Sequence, residues 1–509
     1  MMRILWWIKR DLRLADNESL SEACRRSRDL EGEVVPVYLF EPSLVSAPET
    51  GALHLQVQAE ALNALRSRLR DAGADLLVLR GEAPAVFEEL RRELPFDKIY
   101  AEEEIGTSLT YQRDRRVRRW SAESGVEFRE FPRNGVIRGL RSRDNRMGIW
   151  KERMARPLLP EPPGIPMSRR SRQYAAGTTI PGPEELGRAP AAGAVQRVDE
   201  AAAERTLESF LHVRGSGYSK GISSPTLSRY TGSRLSVHLA WGTLSVGQVF
   251  QSLEERQAEL RQDRSVKGWL KPLNAFRSRL FWHDHFCQRL EDEPEMEFHT
   301  LNRAFEEIDY DGAPEFEELL WQGRTGFPMV DASLRSLAQT GFVNFRMRAM
   351  IVSFATYALH LDWRKLLHPM ARIMADYLPG IHISQLQMQA GVVGINTVRV
   401  YNPTKQLLDH DPECVFVRRF LPELRPCSND QIISLATAGV ESPSHGTRGR
   451  SRENTSSLPS TADYPEPIVP FREKIKEMQS KVYRRKGSPF GKEEASRVLA
   501  KHGSRRRRD

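Results

Sequence analysis

The first third of the chain alternates short apolar runs with amphipathic helical stretches. Five runs rich in β-branched and aromatic residues predict strands at Ile4–Ile8, Val34–Phe40, Leu76–Leu79, Ile99–Ala101 and Val126–Phe131. The stretches between them predict helices that include Leu53–Ala72, Ala83–Leu94 and Leu109–Ser124. This alternation predicts an α/β domain with a doubly wound parallel sheet over residues 1–135. No GxGxxG follows the first strand, so the pattern gives no support for a Rossmann dinucleotide site.

Residues 198–425 show almost exclusively helical periodicity, which predicts a second, all-α domain. Its predicted helices include Glu200–Phe210, Val246–Arg261, Leu273–Leu290, Ala332–Ala338, Asn344–Leu361 and Trp363–Tyr377. An interdomain connector is predicted over 136–197, because residues 156–194 are rich in proline, glycine, serine and arginine and are not expected to sustain a regular element. Residues 426–509 predict a basic, partly disordered tail, with a polar stretch at 442–460 and a last helical piece around Phe471–Tyr483.

The stretch from Trp321 to Arg364 sets arginines into an otherwise apolar helical pattern. Apolar residues recur at helical spacing at Met347, Met350, Ile351, Phe354, Ala358 and Leu361. Arg346 and Arg348 lie in the first turns of this predicted buried helix. Because a buried guanidinium needs a partner, the pattern predicts either an ion pair with a neighbouring helix or a bound anionic or π-rich ligand.

Composition and charge narrow the class of protein. With 39% hydrophobic and 28% charged residues, the chain has the composition of a soluble globular protein. No run of about 18 apolar residues occurs, so no membrane span and a cytoplasmic location are expected. The balance of 76 Lys+Arg against 67 Asp+Glu gives +9 and a pI near 9.4, which suits a polyanionic partner. Terminal basic runs at 484–486 and 505–508 contribute to this excess and are typical of solvated arms.

The residues that bind metals in other proteins do not form a convincing site. The four cysteines, Cys24, Cys287, Cys414 and Cys427, are scattered without a CxxC pair, which argues against a disulfide framework and a zinc site. His283, Asp284 and His285 are adjacent on a predicted helix and therefore point in different directions. No metal is expected.

Five motifs occur in the order and at the spacing of a known family. They are ILWWIKRDLRLADNESL at 4–20, GSRLSVHLAWGTLS at 232–245, the run from WQGRTGFPMVDASLR to LDWR at 321–364, VRVYNPTKQ at 398–406 and FVRRFLPEL at 416–424. Over roughly residues 3–425 the chain resembles the photolyase/cryptochrome family. The resemblance implies an antenna domain followed by a helical domain that binds FAD. The sequence leaves open whether a second, antenna chromophore is a pterin, a flavin-type molecule or absent.

The resemblance also implies which residues bind the flavin. Small residues, hydroxyls and free amides near Tyr218 and in 231–236 meet the needs of a diphosphate, although such runs more often cap an ordinary helix. Arg348 matches the arginine beside the isoalloxazine, where a positive charge favours the anionic reduced flavin. Gln389 falls where most members have an asparagine facing flavin N5. The implied FAD-binding residues are Tyr218, Gly232, Ser233, Arg234, Leu235, Ser236, Asn344, Arg348, Gln385 and Gln389.

Several positions depart from the family pattern near the flavin. The acidic pair of typical members aligns with Ile383 and Gln385, which predicts a changed redox poise and protonation of the flavin. The flavin-proximal tryptophan of the usual electron route is replaced by Val393. Trp363 fits the middle position of that route. The outer position falls near Tyr310, so the usual route is predicted to be broken, and a different path through Trp321, Trp363 or Tyr401 stays open.

The predicted substrate helix keeps one family residue and loses another. In RSRLFWHDHFCQRLEDEP, residues 277–294, Trp282 matches the tryptophan that faces a flipped pyrimidine dimer. Arg279 stands where the family has a glutamate, and it could meet a phosphate or stack on a base. The implied catalytic residues are therefore Trp282, Trp363 and Arg279.

In the first domain, Lys9, Arg10, Asp11 and Arg13 are predicted to cap the first strand–helix turn. Glu102, Glu103 and Glu104 end the fourth strand, on the face where relatives hold the antenna chromophore.

The leading hypothesis is a light-dependent FAD protein that repairs UV-damaged DNA. In the family, reduced FAD excited by blue light donates an electron to a flipped pyrimidine dimer, whose ring splits and returns the electron. The alternative is a cryptochrome-type blue-light receptor that signals to a partner through its C-terminal tail. A third hypothesis, a basic helical nucleic-acid-binding protein without a cofactor, explains the pI and little else. A monomer is expected.

Overall fold

The computed structural model describes residues 1–190, 193, 195–263, 267–440 and 464–503. The first domain is built on a five-stranded parallel sheet with strand order β3-β2-β1-β4-β5. The strands are β1 Arg3–Ile8, β2 Glu33–Phe40, β3 Leu77–Arg80, β4 Lys98–Glu102 and β5 Glu127–Phe131. Every residue of β1 and β2, two of the three inner strands, is buried, as expected when helices cover both faces of a parallel sheet. The doubly wound α/β prediction is confirmed.

The helices of the first domain alternate with the strands, and the helices of the next segment follow the last strand. They are α1 Glu18–Asp29, α2 Pro42–Val45, α3 Ala52–Asp71, α4 Ala83–Glu93, α5 Ser108–Ser124, α6 Arg146–Met154 and α7 Arg169–Ala176. Helix α1 begins after Asn17, whose side chain accepts a hydrogen bond from the Leu20 amide at 3.0 Å. Asp11 instead accepts from the Lys9 amide at 2.8 Å. The predicted cap of the first strand–helix turn is therefore corrected: Asp11 shapes the turn, and Asn17 caps the helix.

The predicted connector is more regular than its composition indicated. Helices α6 and α7 and a 3₁₀ turn at Glu184–Leu186 lie inside residues 136–197. Ser168 caps α7 by accepting from the Ser171 amide at 3.2 Å, and the segment RRSRQYAA contains neither proline nor glycine. The Thr178 hydroxyl accepts from the amide of Val78 on β3 at 3.1 Å. The expectation of a connector without elements was wrong, because this segment packs against the sheet.

The rest of the described chain is helical. The α-helices are α8 Glu200–Ser209, α9 Tyr218–Gly221, α10 Ser228–Thr231, α11 Ser236–Trp241, α12 Val246–Gln262, α13 Leu270–Asp292, α14 Pro314–Gln322, α15 Pro328–Thr340, α16 Phe345–Tyr357, α17 Arg364–Arg372, α18 Pro379–Ala390, α19 Pro403–His410, α20 Val415–Phe420, α21 Asn429–Ala438, α22 Phe471–Gly487 and α23 Pro489–His502. Short 3₁₀ or π turns lie at Phe210–Arg214, Gly215–Gly217, Pro294–Glu297, Arg303–Glu307 and Pro422–Leu424. The all-α prediction for this region is confirmed. The boundaries at 135, 198 and 425 stay predictions.

Two predicted helices end earlier than their periodicity indicated. Helix α16 stops at Tyr357 rather than Leu361, because His360 takes a positive φ of 52° and the Leu361 amide turns back to the Ala355 carbonyl at 3.0 Å. Helix α17 contains Pro369 and stops at Arg372 rather than Tyr377. Residues 373–378 therefore form a loop between α17 and α18.

The predicted tail divides into described and undescribed parts. Helix α22 confirms the predicted helical piece around 471–483 and extends it to Gly487. Phe471, Met478 and Val482 of α22 and Val498 of α23 are buried against the helical domain. The polar stretch 442–460 lies outside the described residues. No helix in the described ranges is long and apolar enough to cross a membrane.

The loop 373–378 contributes to the contact between the two domains. Its backbone carbonyls accept from the ring of His54 on α3, from Trp241 on α11 and from Arg10 after β1, each at 2.9 Å. The His54 ring also stacks on Tyr377 at 5.8 Å. Gly242 ends α11 with a φ of 70°, and a Cβ there would lie 2.0 Å from the Arg10 carbonyl oxygen. The interface therefore requires a close approach of the two backbones.

We expect the free energy of unfolding to fall as the pH falls from about 6.5 toward 4. Burial lowers the pKa of five histidines, to about 4 for His54, His238, His382 and His502 and to about 2 for His285. The unfolded chain then binds more protons than the folded chain in this window, so each group costs up to about 1.4 kcal/mol per pH unit. Denaturant titrations between pH 5 and 7.5 measure this slope.

His382→Gln should reduce the pH dependence of the unfolding free energy by the contribution of one titrating group. The glutamine can still donate to the Leu367 carbonyl, which His382 contacts at 2.8 Å. His299→Gln is the matched control, since the His299 side chain is 56% exposed. Equal slopes in all three proteins would contradict the assignment.

Candidate functional site

The arginine that the apolar pattern singled out has a carboxylate partner. Arg348, in the first turn of α16, forms a two-point ion pair with Asp376, with both N–O distances at 3.0 Å. Its Nε donates to the Val343 carbonyl at 2.8 Å. The ion-pair alternative is therefore confirmed for Arg348, with the partner on the loop 373–378 rather than on a helix. Asp376 places a carboxylate beside Arg348, whereas the positions of the family's acidic pair carry Ile383 and Gln385, so the predicted change in redox poise stays a prediction.

The ion pair is buried and ionised. Burial alone would raise the pKa of Asp376, but Arg348, a hydrogen bond from Ser236 and the charge of Arg234 hold that pKa below its ordinary value. Ser236 begins α11, so the ion pair also fixes the start of that helix. Sequence reasoning missed Asp376, although an acidic residue at the end of an apolar run was a usable signal.

The predicted phosphate loop joins α10 to α11 next to this pair. Arg214 supports the loop by donating to the carbonyls of Gly232 and Ser233, the second at 2.7 Å. Arg234 adopts a left-handed φ of 60° and lies with its guanidinium 3.6 Å from the centre of the Phe342 ring. Leu235 is 1% exposed and packs beneath the loop. The backbone thus directs Arg234 inward, which its sequence context did not predict.

Positive charge is in excess in this pocket. Burial, followed by repulsion from Arg229 and Arg348, lowers the pKa of Arg234 to about 10, with Asp376 opposing the shift. The Nη1 of Arg234 has no hydrogen-bond partner within the described part of the chain. A buried guanidinium without a partner is costly, so a bound anion would stabilise it. The pocket therefore fits a ligand such as a diphosphate in charge and in free donors.

Asn344 links the start of α16 to the opposite wall. Its side-chain amide donates to the carbonyls of Ile222 and Ser223 at 3.0 and 2.9 Å, and its Oδ1 has no partner among the described residues. On α18, Gln389 donates to Gln385 at 3.2 Å, which places these two predicted flavin contacts on one helix face. Ile383 is fully buried on that helix and belongs to the core.

Helix α13 presents the two predicted substrate residues to solvent. Trp282 is 37% exposed and stacks on Phe286 at a centroid distance of 5.8 Å. Arg279, one turn earlier, is exposed and hydrogen bonds to the hydroxyl of Tyr218. Burial raises the pKa of Tyr218 to about 12, although the charge of Arg279 opposes the shift. Tyr218 thereby connects the exposed face of α13 to the cofactor side of the domain.

The predicted electron-route residues are separated in the core. Trp363 is fully buried, with no partner for its indole nitrogen among the described residues. Val393 is 1% exposed. A buried aliphatic side chain therefore occupies the flavin-proximal position of the electron route. Tyr310, Trp321 and Tyr401 pack against the same core from its periphery. Among the described residues, no ring–ring contact joins Tyr310, Trp321 or Tyr401 to Trp363, and the electron route stays a prediction.

The His283-Asp284-His285 trio divides between different tasks. The Asp284 carboxylate accepts from the indole of Trp150 at 2.8 Å, from the Gly135 amide at 3.0 Å and from His283 at 2.9 Å. His285 turns away from it toward Arg289. Over the described ranges, no group of three or more metal-ligating side chains is arranged around one point.

A separate cleft lies at the carboxyl ends of the strands in the first domain. Its lining includes Trp7, Arg10, Tyr38, Glu104, Trp241 and Tyr377. Of the three glutamates expected there, only Glu104 lines the cleft, because Glu102 turns inward to pair with Arg13 and Glu103 lies near Arg138. Aromatic faces from both domains therefore meet at this edge.

Comparison with known proteins matches one family model to the N-terminal part of the chain and a second one to its C-terminal part. Residues 4–145 match the family model for DNA photolyase, and residues 276–484 match the model for the FAD binding domain of DNA photolyase. The deoxyribodipyrimidine photo-lyase of Halobacterium salinarum is 27% identical over 84% of this chain and 91% of its own length. The cryptochrome DASH of Natronomonas pharaonis is 27% identical over 91% and 97%.

Solved structures share the whole fold. The class III photolyase of Agrobacterium tumefaciens superposes with a TM-score of 0.75 at 22% identity, over 96% of this chain and 98% of that one. The Synechocystis cryptochrome gives a TM-score of 0.79 at 22% identity, over 94% and 99%. The chain is thus a two-domain protein with a helical FAD-binding domain. It belongs to the photolyase/cryptochrome family.

We predict that Arg234→Gln weakens FAD retention about tenfold to hundredfold, because it removes the unpaired guanidinium that a diphosphate would neutralise. The measurement is the flavin content of purified protein and the dissociation constant of added FAD. Arg229→Gln is the control: its guanidinium already donates to Ser336 and Thr340 at 3.2 and 3.0 Å, so the substitution changes the charge near Arg234 without removing an unpaired donor. An equal loss in both variants would show that Arg234 makes no direct contact.

Proposed function

We propose that this protein is a light-dependent FAD enzyme that repairs pyrimidine dimers in UV-damaged DNA. The observation that carries the proposal is the exposed indole of Trp282 on α13, one turn from Arg279, whose guanidinium hydrogen bonds to the hydroxyl of Tyr218. A large apolar ring at the surface offers a stacking face for an extruded base. The photo-lyase names of several relatives and the charge of +9 support the same substrate.

In this proposal each residue has a physical task. Arg234, Ser236 and the amides of Gly232 and Ser233 hold the FAD diphosphate, and Asn344, Gln385 and Gln389 line the flavin. When bound and reduced, FAD supplies an electron on absorbing blue light. Arg348 keeps a positive charge beside the ring, and Asp376 holds that arginine in place. Trp282 stacks on the lesion, and Arg279 meets a neighbouring phosphate or base. The simplest form is a monomer that acts in the cytoplasm.

A blue-light receptor is the second candidate, and two observations favour it. Arg279 replaces the glutamate of the family pattern, and Val393 leaves no aromatic ring at the proximal position of the electron route. Some relatives carry the name cryptochrome DASH. In this reading the same FAD pocket would drive a structural change that a signalling partner detects. The cleft at the sheet edge is the candidate site for a second chromophore in either case.

The repair assay separates the two candidates. Reduced protein is illuminated with single-stranded and double-stranded DNA that contains cyclobutane dimers or 6-4 products, and restored pyrimidines are counted. We expect light-dependent repair, and Trp282→Ala should lower it about tenfold to hundredfold through loss of stacking. Trp282→Phe should recover most of the activity, with flavin content equal in all three proteins.

Absence of light-dependent repair on every substrate would remove the enzyme proposal and leave the receptor. Repair that is unchanged in Trp282→Ala would keep the activity but overturn the role of this indole.

Asp376→Asn should raise the midpoint potential of the two-electron flavin couple. Removing a negative charge beside Arg348 leaves more positive potential to stabilise the anionic reduced ring, and about 1.4 kcal/mol of such stabilisation corresponds to about 30 mV. Spectroelectrochemical titration of FAD-loaded protein measures the change. Asp362→Asn is the control, because Asp362 pairs with Arg364 at 2.8 Å elsewhere in the domain. A potential that does not move in Asp376→Asn would contradict the proposed position of the ring.

A further inference from the structure

A second group of buried cations lies on the far end of α13. The arginine cluster consists of Arg143, Arg146 and Arg289, together with His285 and His502. Arg146 and Arg289 are only 3% and 4% exposed, and the two histidines are 2% and 1% exposed. The cluster joins three parts of the chain, since Arg146 begins α6, Arg289 and His285 lie on α13, and His502 ends α23.

Two of the three guanidiniums have donors without a partner. None of the three side-chain nitrogens of Arg146, which lies over the Phe281 ring at 5.0 Å, has a hydrogen-bond partner within the described chain, nor do Nε and Nη1 of Arg289. The nearby acids hydrogen bond or pair with other groups: Asp284 accepts from Trp150, Gly135 and His283, Asp292 pairs with Arg143 at 2.7 Å, and Glu293 receives His502 at 2.8 Å and Arg497 at 3.2 Å. By contrast Arg113, equally buried, contacts three carboxylates, those of Glu41, Glu104 and Asp114.

The charges around His285 repel one another. Burial, then Arg289, Arg143 and Arg146, lower the pKa of His285 to about 2, so the ring is neutral. An arginine can only donate, so the Nε2 of His285 accepts from Arg289 Nη2 at 3.4 Å and its proton lies on Nδ1. Burial also lowers the pKa of Arg146 to about 10, although the charges of Asp284 and Asp292 oppose the shift and only Arg143 adds to it. Burial and repulsion from Arg143 lower the pKa of Arg289 to about 10, with Glu293 in opposition.

This cluster is distinct from the proposed flavin pocket. The groups whose charges act on Arg234 are Arg229, Asp376, Arg348 and Arg214, and none belongs to the arginine cluster. The groups that act on His285 are Arg289, Arg143, Arg146 and His502, and none belongs to the flavin pocket. Two separate sites therefore share one feature, a guanidinium with buried nitrogens that have no hydrogen-bond partner among the described residues.

We propose that the arginine cluster binds a small oxyanion of the phosphate class between Arg146 and Arg289. Buried water could satisfy the free donors, but it would supply no negative charge to the two guanidiniums, neither of which forms an ion pair with a described residue. A tetrahedral oxyanion supplies both a charge and several acceptors for these guanidiniums, whereas the neutral ring of His502 donates through Nε2 to Glu293 and offers only an acceptor at Nδ1. This inference does not depend on the proposed repair activity.

Phosphate bound in the arginine cluster would also affect the exposed face of α13 that carries Trp282. The rings of His285 and Phe286 both contact Trp282, at centroid distances of 5.0 and 5.8 Å. Arg289 lies over the Phe286 ring at 5.6 Å. An anion that orders Arg289 would therefore order the aromatic group that supports Trp282.

Equilibrium dialysis of FAD-loaded protein against radiolabelled inorganic phosphate tests the site, with long incubation because the cluster is buried. We expect one equivalent to bind, with affinity at least tenfold weaker in Arg146→Met and in Arg289→Met. Arg277→Met on the same helix is the matched control, because its guanidinium pairs with Glu254 at 2.8 Å, is 39% exposed and should bind phosphate as the parent chain does. Competition with sulfate and with AMP distinguishes a free oxyanion from the phosphate group of a nucleotide.

Thermal unfolding gives a second test that does not require tight binding. In chloride buffer, Arg146→Met and Arg289→Met should melt at the same or a higher temperature than the parent chain, because each removes an unpaired buried charge. In phosphate buffer of equal ionic strength, only the parent chain and Arg277→Met should gain stability, which reverses the order. Absence of saturable phosphate binding by the parent chain, or binding that both methionine variants retain, would overturn the proposal.

Discussion

The loop between α17 and α18 constrains both domains, because neighbouring residues in it hydrogen bond to the first domain and form an ion pair in the helical domain. The carbonyls of Met374, Ala375 and Tyr377 accept hydrogen bonds from first-domain or interface side chains, while the Asp376 carboxylate points the other way and holds Arg348. A change in how the two domains dock would therefore move this carboxylate. One short segment therefore contributes both to the docking of the domains and to the electrostatics of the candidate flavin pocket.

The sheet was predictable to within one or two residues because a doubly covered parallel sheet turns each inner strand into a continuous apolar run. Helix ends were less predictable, since they depend on single backbone conformations. The φ of 52° at His360 ends α16 one turn early, and no apolar periodicity encodes it. The connector was misjudged for a similar reason: prolines and glycines at its ends hid a short capped segment that becomes α7 once it lies on the sheet.

The site shows the same division between local pattern and distant contact. The need of Arg348 for a partner followed from its burial, but the identity of that partner did not, because Asp376 lies 28 positions away in a loop. Arg234 was assigned through its neighbours, whereas its inward direction comes from a left-handed backbone conformation. The sequence does not distinguish Arg146 and Arg289, because each stands among ordinary charged residues. Both become buried with free donors only when α6, α13 and α23 pack together.

The exposure of Trp282 also gives the protein an internal optical reporter. It is the exposed member of the nine tryptophans, all of which are described, and the other eight are buried or half-buried. A quencher dissolved in the buffer will therefore reach the Trp282 indole before the others, so the quenchable part of the emission reports the surroundings of one side chain. Fluorescence in the ultraviolet can then follow the substrate face without a label and without exciting the flavin in its blue band.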